Sequence, residues 1–212
     1  MTWSLVGIAL WALLLYQLSP SWCLSQLRNS STLSRNFATC IAALAVLWHL
    51  KIELIEGLAL HFLLVTAVTL ILGFRISCIA TSSAMLLLAA TNQITWQQLP
   101  EHWLIHIFPI IVMSYLLLLI SRKYLPRHLF VYIFVNAFLT AAVAIALSIG
   151  IQALWYNLTG QYSSDQINQY LLRMLPLMVF PEALLNGMLI TVLAVYTPHN
   201  LCTYRDSEYL NN

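Results

Sequence analysis

Residues 47–61 read LWHLKIELIEGLALH, placing two His, one Lys and two Glu in the middle of a chain built largely from Leu, Ile, Val, Ala and aromatics. The apolar sequence resumes immediately on both sides. Composition decides how such an interruption is to be read. Of 212 residues, 61% are hydrophobic and only 8% charged, and the mean hydropathy is +0.82. A soluble domain covers its surface with about 25% charged residues. This chain has too few to do so and needs a solvent less polar than water. The interruption therefore reads as a turn between membrane spans, and the expected fold class is all-α, a polytopic transmembrane helical bundle.

Seven apolar stretches are expected to span: 3–19, 36–52, 55–74, 76–93, 104–121, 128–155 and 172–196. Several approach the ~20 residues needed to cross a hydrocarbon core. The length leaves room for a single integral membrane domain over 1–212 and no further soluble domain. Polar connections fall at 20–35 (PSWCLSQLRNSSTLSR) and 157–171 (NLTGQYSSDQINQYL). The stretch ITWQQLPEHW, 94–103, is too short and polar to cross and is expected at the interface. The first stretch, MTWSLVGIALWALLLYQLSPSW, has no basic residue ahead of its apolar run and no A-x-A behind it, so it reads as a retained helix rather than a cleaved signal. Cys23, Cys40, Cys78 and Cys202 lie far apart without a C-x-x-C, and read as packing residues.

Charge sets the orientation. With the N-terminus outside and the C-terminus cytoplasmic, Arg28, Arg35, Arg75, Arg122, Lys123, Arg127 and Arg205 fall on the inner side, while only Lys51 and Arg173 fall outside. That is the asymmetry of a positive-inside protein in the inner (plasma) membrane. It also accounts for the net charge of +2 without any nucleic-acid partner.

The same orientation collects the unusual polar residues at the outer mouth. His49, Glu53 and Glu56 fall at the turn between the second and third spans, and His61 just over one helical turn below it. Glu101 and His102 fall at the outer end of the fifth span, with His106 one turn deeper on the same face. His128 and His199 fall on the inner side. Imidazoles with nearby carboxylates suit a borderline divalent ion such as Ni(II), Co(II), Cu(II) or Zn(II). Glu53, Glu56 and Lys51 are also what any solvated membrane boundary carries. His61 differs because it sits inside an apolar run, where ionisable groups are costly and tend to be functional. Glu182, within the last span and close to Pro176 and Pro181, is expected to be buried for the same reason.

The segment HFLLVTAVTLILGF, 61–74, resembles the third-helix signature of the CbiM/NikM membrane components of energy-coupling-factor ABC transporters for cobalt and nickel. His61 and Gly73 keep its twelve-residue His-to-Gly spacing. The preceding LAVLWHLKI resembles the family's short second helix. HIFPIIVMSYLLLLISRKYLP, with Pro109 and Tyr115, is similar to its V-V-G-P-L-V-G-Y stretch, and LPLMVFPEALLNGMLITVLAVY, with Pro176 and Glu182, to its last helix. The resemblance implies a substrate-binding membrane component that takes a divalent transition metal as substrate, holds no permanent cofactor, and works with a separate transmembrane coupling subunit, two ATPase subunits and a small accessory membrane protein. In the family the metal is held by the N-terminal amine, a second-residue His and the third-helix His. Here Thr2 stands at the second position, so of the His pair only His61 carries over, and His49, His102 or His106 is left to supply the missing ligand.

No G-x-x-x-x-G-K-[ST] is present, so ATP hydrolysis has to be borrowed. Gly7, Ala9 and Ala12, and Ala38, Ala42 and Ala45, offer small residues at helical spacing for a close-packed coupling subunit. The expectation is a transport component rather than an enzyme. One rival is an intramembrane metalloenzyme using His102, His106 and Glu182 around a metal-bound water. Another is a membrane assembly subunit that has lost its metal site.

Overall fold

The computed structural model of the chain describes residues 2–50, 52–55, 58–60 and 62–209. Among these residues the regular secondary structure is helical apart from one short two-stranded ribbon. The helices are α1 (Thr2–Gln17), α2 (Pro20–Asn29), α3 (Ser31–His49), α4 (Val65–Leu72), α5 (Phe74–Ala90), α6 (Leu99–Tyr124), α7 (Leu129–Thr159) and α8 (Ser164–Tyr196). A last turn, Asp206–Tyr209, ends the described chain. Helix suits these Leu- and Ala-rich runs because a backbone among lipid tails must satisfy its polar groups internally.

Punctuation follows local chemistry. Pro20 opens α2, where its missing N–H is not needed, and α1 and α2 meet at a bend of 48° around Ser19, whose φ of 54° is left-handed. Ser30 accepts from the Leu33 N–H at 3.2 Å and starts α3.

Among the described residues, three helices, α6, α7 and α8, are long and apolar enough to cross a membrane, and the bent pair α1–α2 makes a fourth at most. This falls short of the seven stretches expected from sequence. The largest correction is in the opening stretch. The expected spans 36–52 and 55–74 are instead α3, a ribbon, and the eight-residue α4. Ile52–Ile55 pairs antiparallel with Leu58–Leu60, with Ile52 opposite Leu60 and Glu53 opposite Ala59. IELI carries two β-branched Ile, and Glu-Gly separates it from LAL in the sequence, strand and turn signals that the apolar content outweighed. The interfacial expectation for 94–103 is corrected in part. Helix α6 begins at Leu99, and Trp103 is fully buried with its indole N–H on Thr81 Oγ1 at 3.1 Å, whereas Trp96 is exposed.

Helix α4 sits at the centre. Every residue from Val65 to Leu72 is buried, and α3, α5, α6, α7 and α8 all pack on it. Each long helix contains a stretch with wide, π-type turns: Trp103–Ile107 in α6, Tyr132–Leu139 in α7 and Ile167–Leu172 in α8. Such bulges frequently mark functional positions.

Candidate functional site

The head of α4 starts without a helix cap of its own. Leu64 stands at its N-cap position with φ of 50° and no side chain able to accept a hydrogen bond. The missing acceptors come from α8. Glu182 is buried, and one carboxylate oxygen accepts the Leu63 N–H at 3.0 Å while the other accepts the Leu64 N–H at 2.6 Å. One turn on, fully buried Asn186 accepts the Ala67 N–H at 2.7 Å and donates to Glu182 Oε1 at 3.0 Å and to the Glu182 carbonyl at 2.7 Å. The Trp48 indole of α3 donates to the Leu63 carbonyl at 3.2 Å, so the Leu63 backbone is held on both sides. A carboxylate at a helix N-terminus also meets the positive end of the helix dipole. Glu182 is thus a structural acid that fixes the chain immediately following His61. His61 itself, with Lys51 and Glu56, lies outside the described residues.

The other end of α4 is held as well. After α8 the chain turns back beneath it. The Cys202 N–H reaches the Ile71 carbonyl at 3.0 Å, and the Leu70 carbonyl accepts both the Thr203 N–H at 3.3 Å and its hydroxyl at 2.7 Å. Tyr132 shares a 2.7 Å hydrogen bond with Thr203, and Arg122 donates to the Thr203 carbonyl. Arg127 and Arg205 pair with Glu208 at 3.8 and 3.9 Å. Asn36 donates to the Asn200 carbonyl at 2.9 Å, and Arg75 lies 5.1 Å over the Trp22 ring.

The remaining candidate ligands lie toward the opposite end. His49 is exposed at the end of α3, with Nε2 3.4 Å from Gln93 Nε2. His102 and His106 are half-buried, their ring centroids 4.6 Å apart along the first turns of α6. His106 Nε2 lies 3.1 Å from the Tyr156 hydroxyl of α7, and Ser148 donates to the His106 carbonyl at 2.7 Å. Glu101 accepts from the Trp155 indole at 2.8 Å. Helix α1 packs against this same turn, where a Cβ on Gly7 would stand 3.7 Å from Pro100 Cβ. Among the described residues, no three His, Cys, Asp or Glu converge as a metal-binding group. In particular His102, His106 and Glu182 form no such group, and the described contacts of the Glu182 carboxylate go to the Leu63 and Leu64 backbones and Asn186.

Sequence reasoning missed Asn186, Tyr156 and Thr203. Asn186 and Thr203 are recognisable only through the backbone groups they meet far along the chain. Tyr156 lies fifty residues from His106.

Residues 1–200 match the family described as the cobalt uptake substrate-specific transmembrane region, CbiM. The chain belongs to the CbiM family. No curated protein and no solved structure matches it. CbiM membership makes it a multi-pass membrane component of cobalt uptake, with a metal ion as the substrate class. The region that CbiM covers includes α4, its Glu182–Asn186 clamp and the His102–His106 turn, and ends just before Cys202 and Thr203.

Proposed function

We propose that this CbiM-family chain is the substrate-binding component of an energy-coupling-factor transporter for a divalent transition metal, cobalt or nickel above all, in the inner membrane. His61 is the core metal ligand. The observation that carries this reading is the clamp of Glu182, Asn186 and Trp48 on Leu63 and Leu64, directly behind His61. Metal coordination needs ligands held at about 2 Å, and a ligand on a loose chain loses much of its affinity to ordering. Two side chains of α8 and one of α3 converge on this short non-helical stretch, which makes it a rigid base for a ligand.

The N-terminus lies outside and the C-terminus in the cytoplasm, with α6, α7 and α8 as full spans. The shorter helices pack among these three, and the eight-residue α4, too short to cross at ~1.5 Å per residue, is shielded by its neighbours instead of meeting lipid along its length. Energy comes from ATPase subunits through a coupling subunit that packs against the exposed small residues Ala38 and Ala42 of α3.

The test is calorimetric titration of the purified protein in detergent with Co(II), Ni(II), Cu(II) and Zn(II). His61→Ala abolishes high-affinity binding, and His199→Ala, at the far end of the last helix, preserves it. Equal affinities for wild type and His61→Ala refute His61 as the ligand.

A further inference from the structure

Between α3 and α8 a slot of about 340 Å³ runs over one face of α4. Its floor is Leu64, Val68 and Ile71, spaced i, i+4 and i+7 along α4. Leu44 and Leu47 of α3 line one wall, and Leu189 and Leu193 of α8 the other. Ala43 and Leu189 at the two rims are exposed, so the slot opens sideways. It follows α3 from Arg35 to Leu47, a length of roughly 18 Å at ~1.5 Å per residue. One leaflet is about half of a hydrocarbon core ~30 Å thick, so the slot is about one leaflet deep. Its volume over that length leaves a cross-section on the order of 20 Å², a small fraction of that of a helix ~10–12 Å across. A single hydrocarbon chain fits there and a transmembrane helix does not.

The polar side chains of the slot, Arg35, Asn36, Thr39 and Asn200, gather toward one end, where Asn36 donates to the Asn200 carbonyl at 2.9 Å. Asn200 Oδ1 is buried there without a hydrogen-bond partner among the described residues, an acceptor left for a hydroxyl. Arg127 and Arg205 both pair with Glu208, whereas exposed Arg35 has no acidic partner among the described residues. An unpaired guanidinium is a strong donor to phosphate. The charge asymmetry assigns Arg35 to the cytoplasmic side, where basic pockets between membrane helices take anionic headgroups. At 3.6 residues per turn, Ala38 and Ala42, the surface offered to the coupling subunit, point roughly 140° away from Asn36, Ala43 and Leu47. Docking on those alanines leaves the slot open.

We propose that this slot holds one acyl chain of an anionic glycerophospholipid from the inner leaflet, with the lipid phosphate on Arg35 and a headgroup hydroxyl on Asn200. The metal reading plays no part in this, and only the leaflet follows from the orientation of the chain. The bound lipid covers the one stripe of α4 that its neighbours leave open, including Leu64 beside the Glu182 clamp.

The probe is phosphatidylglycerol against phosphatidylcholine of matched acyl chains, in equal parts, in nanodiscs holding the full chain. Native mass spectrometry of the released protein finds one retained phospholipid, phosphatidylglycerol enriched at least fivefold. Arg35→Gln still retains one lipid, but the enrichment falls below twofold. Ala43→Phe, at an exposed rim, fills the slot and lowers retention of both lipids at least fivefold, whereas Ala43→Ser keeps the space and the lipid. Equal retention of the two lipids by wild type, unchanged enrichment in Arg35→Gln, unchanged retention in Ala43→Phe, or equal loss in Ala43→Ser overturns the proposal. Displacement of the retained phosphatidylglycerol by the coupling subunit assigns the slot to protein and overturns it as well.

Discussion

Glu182 satisfies two backbone donors with one carboxylate, and Asn186 links that carboxylate to a third donor at Ala67. Removing a partner from a buried N–H costs about 1–3 kcal/mol, more where no water can reach it. Glu182→Leu leaves the Leu63 and Leu64 donors unmet and is expected to destabilise the protein by roughly 2–6 kcal/mol on that basis. Glu182→Gln keeps one oxygen acceptor and is expected to lose about half as much. Thermal unfolding in detergent ranks wild type, Gln and Leu. Equal midpoints for all three sink the clamp. Burial of this acid was legible in the sequence, because a carboxyl in the interior of an apolar span has to face protein. Its partners were not, since they are backbone amides 118 and 119 residues away. Tyr156 was hidden in the same way, marked only by its neighbour His106 on another helix.

At the scale of elements, apolar periodicity located α6, α7 and α8 well and failed where length and pattern disagreed. IELIEGLAL is a short, largely apolar run with no period that separates helix from strand, so composition favoured a span there. The π-type turns were equally hidden, because a widened turn leaves no residue-type signature. Packing between α7 and α8 gives a direct test of the described geometry. A Cβ at Gly187 would stand 2.9 Å from Phe138 Cδ2 and 3.3 Å from Phe138 Cβ, within the π-type stretch of α7. Gly187→Ala therefore forces the ring or the helix to shift, and a loss of about 1–3 kcal/mol is expected from overpacking. Phe138→Ala in the same chain makes room for the methyl group, so the double variant is less destabilised than the two single losses summed. Strictly additive losses in a thermal double-mutant cycle would show that the two residues do not touch.

Across the whole molecule, α4 is a short central helix whose two ends are both held by one continuous piece of chain, α8 at its head and residues 202–203 at its foot. The contacts at the foot draw in Arg122, Arg127 and Arg205, three of the basic residues that the charge asymmetry assigns to the cytoplasmic side. Contact geometry and charge bias thus gather the same residues at one end of the bundle, although they rest on different physics. The side of the membrane that this end faces is open to a direct test with a native reporter. Cys23, Cys40 and Cys78 are buried, whereas Cys202 is exposed beside Thr203 at the foot of α4. In intact cells a membrane-permeant maleimide is expected to label Cys202, and an impermeant one to do so only after the cells are opened. Cys202→Ser should abolish the permeant labelling and so identify the site. Labelling of Cys202 by the impermeant reagent in sealed cells would invert the orientation, placing the foot of α4 on the face where the ion arrives and His102 and His106 on the face where it leaves.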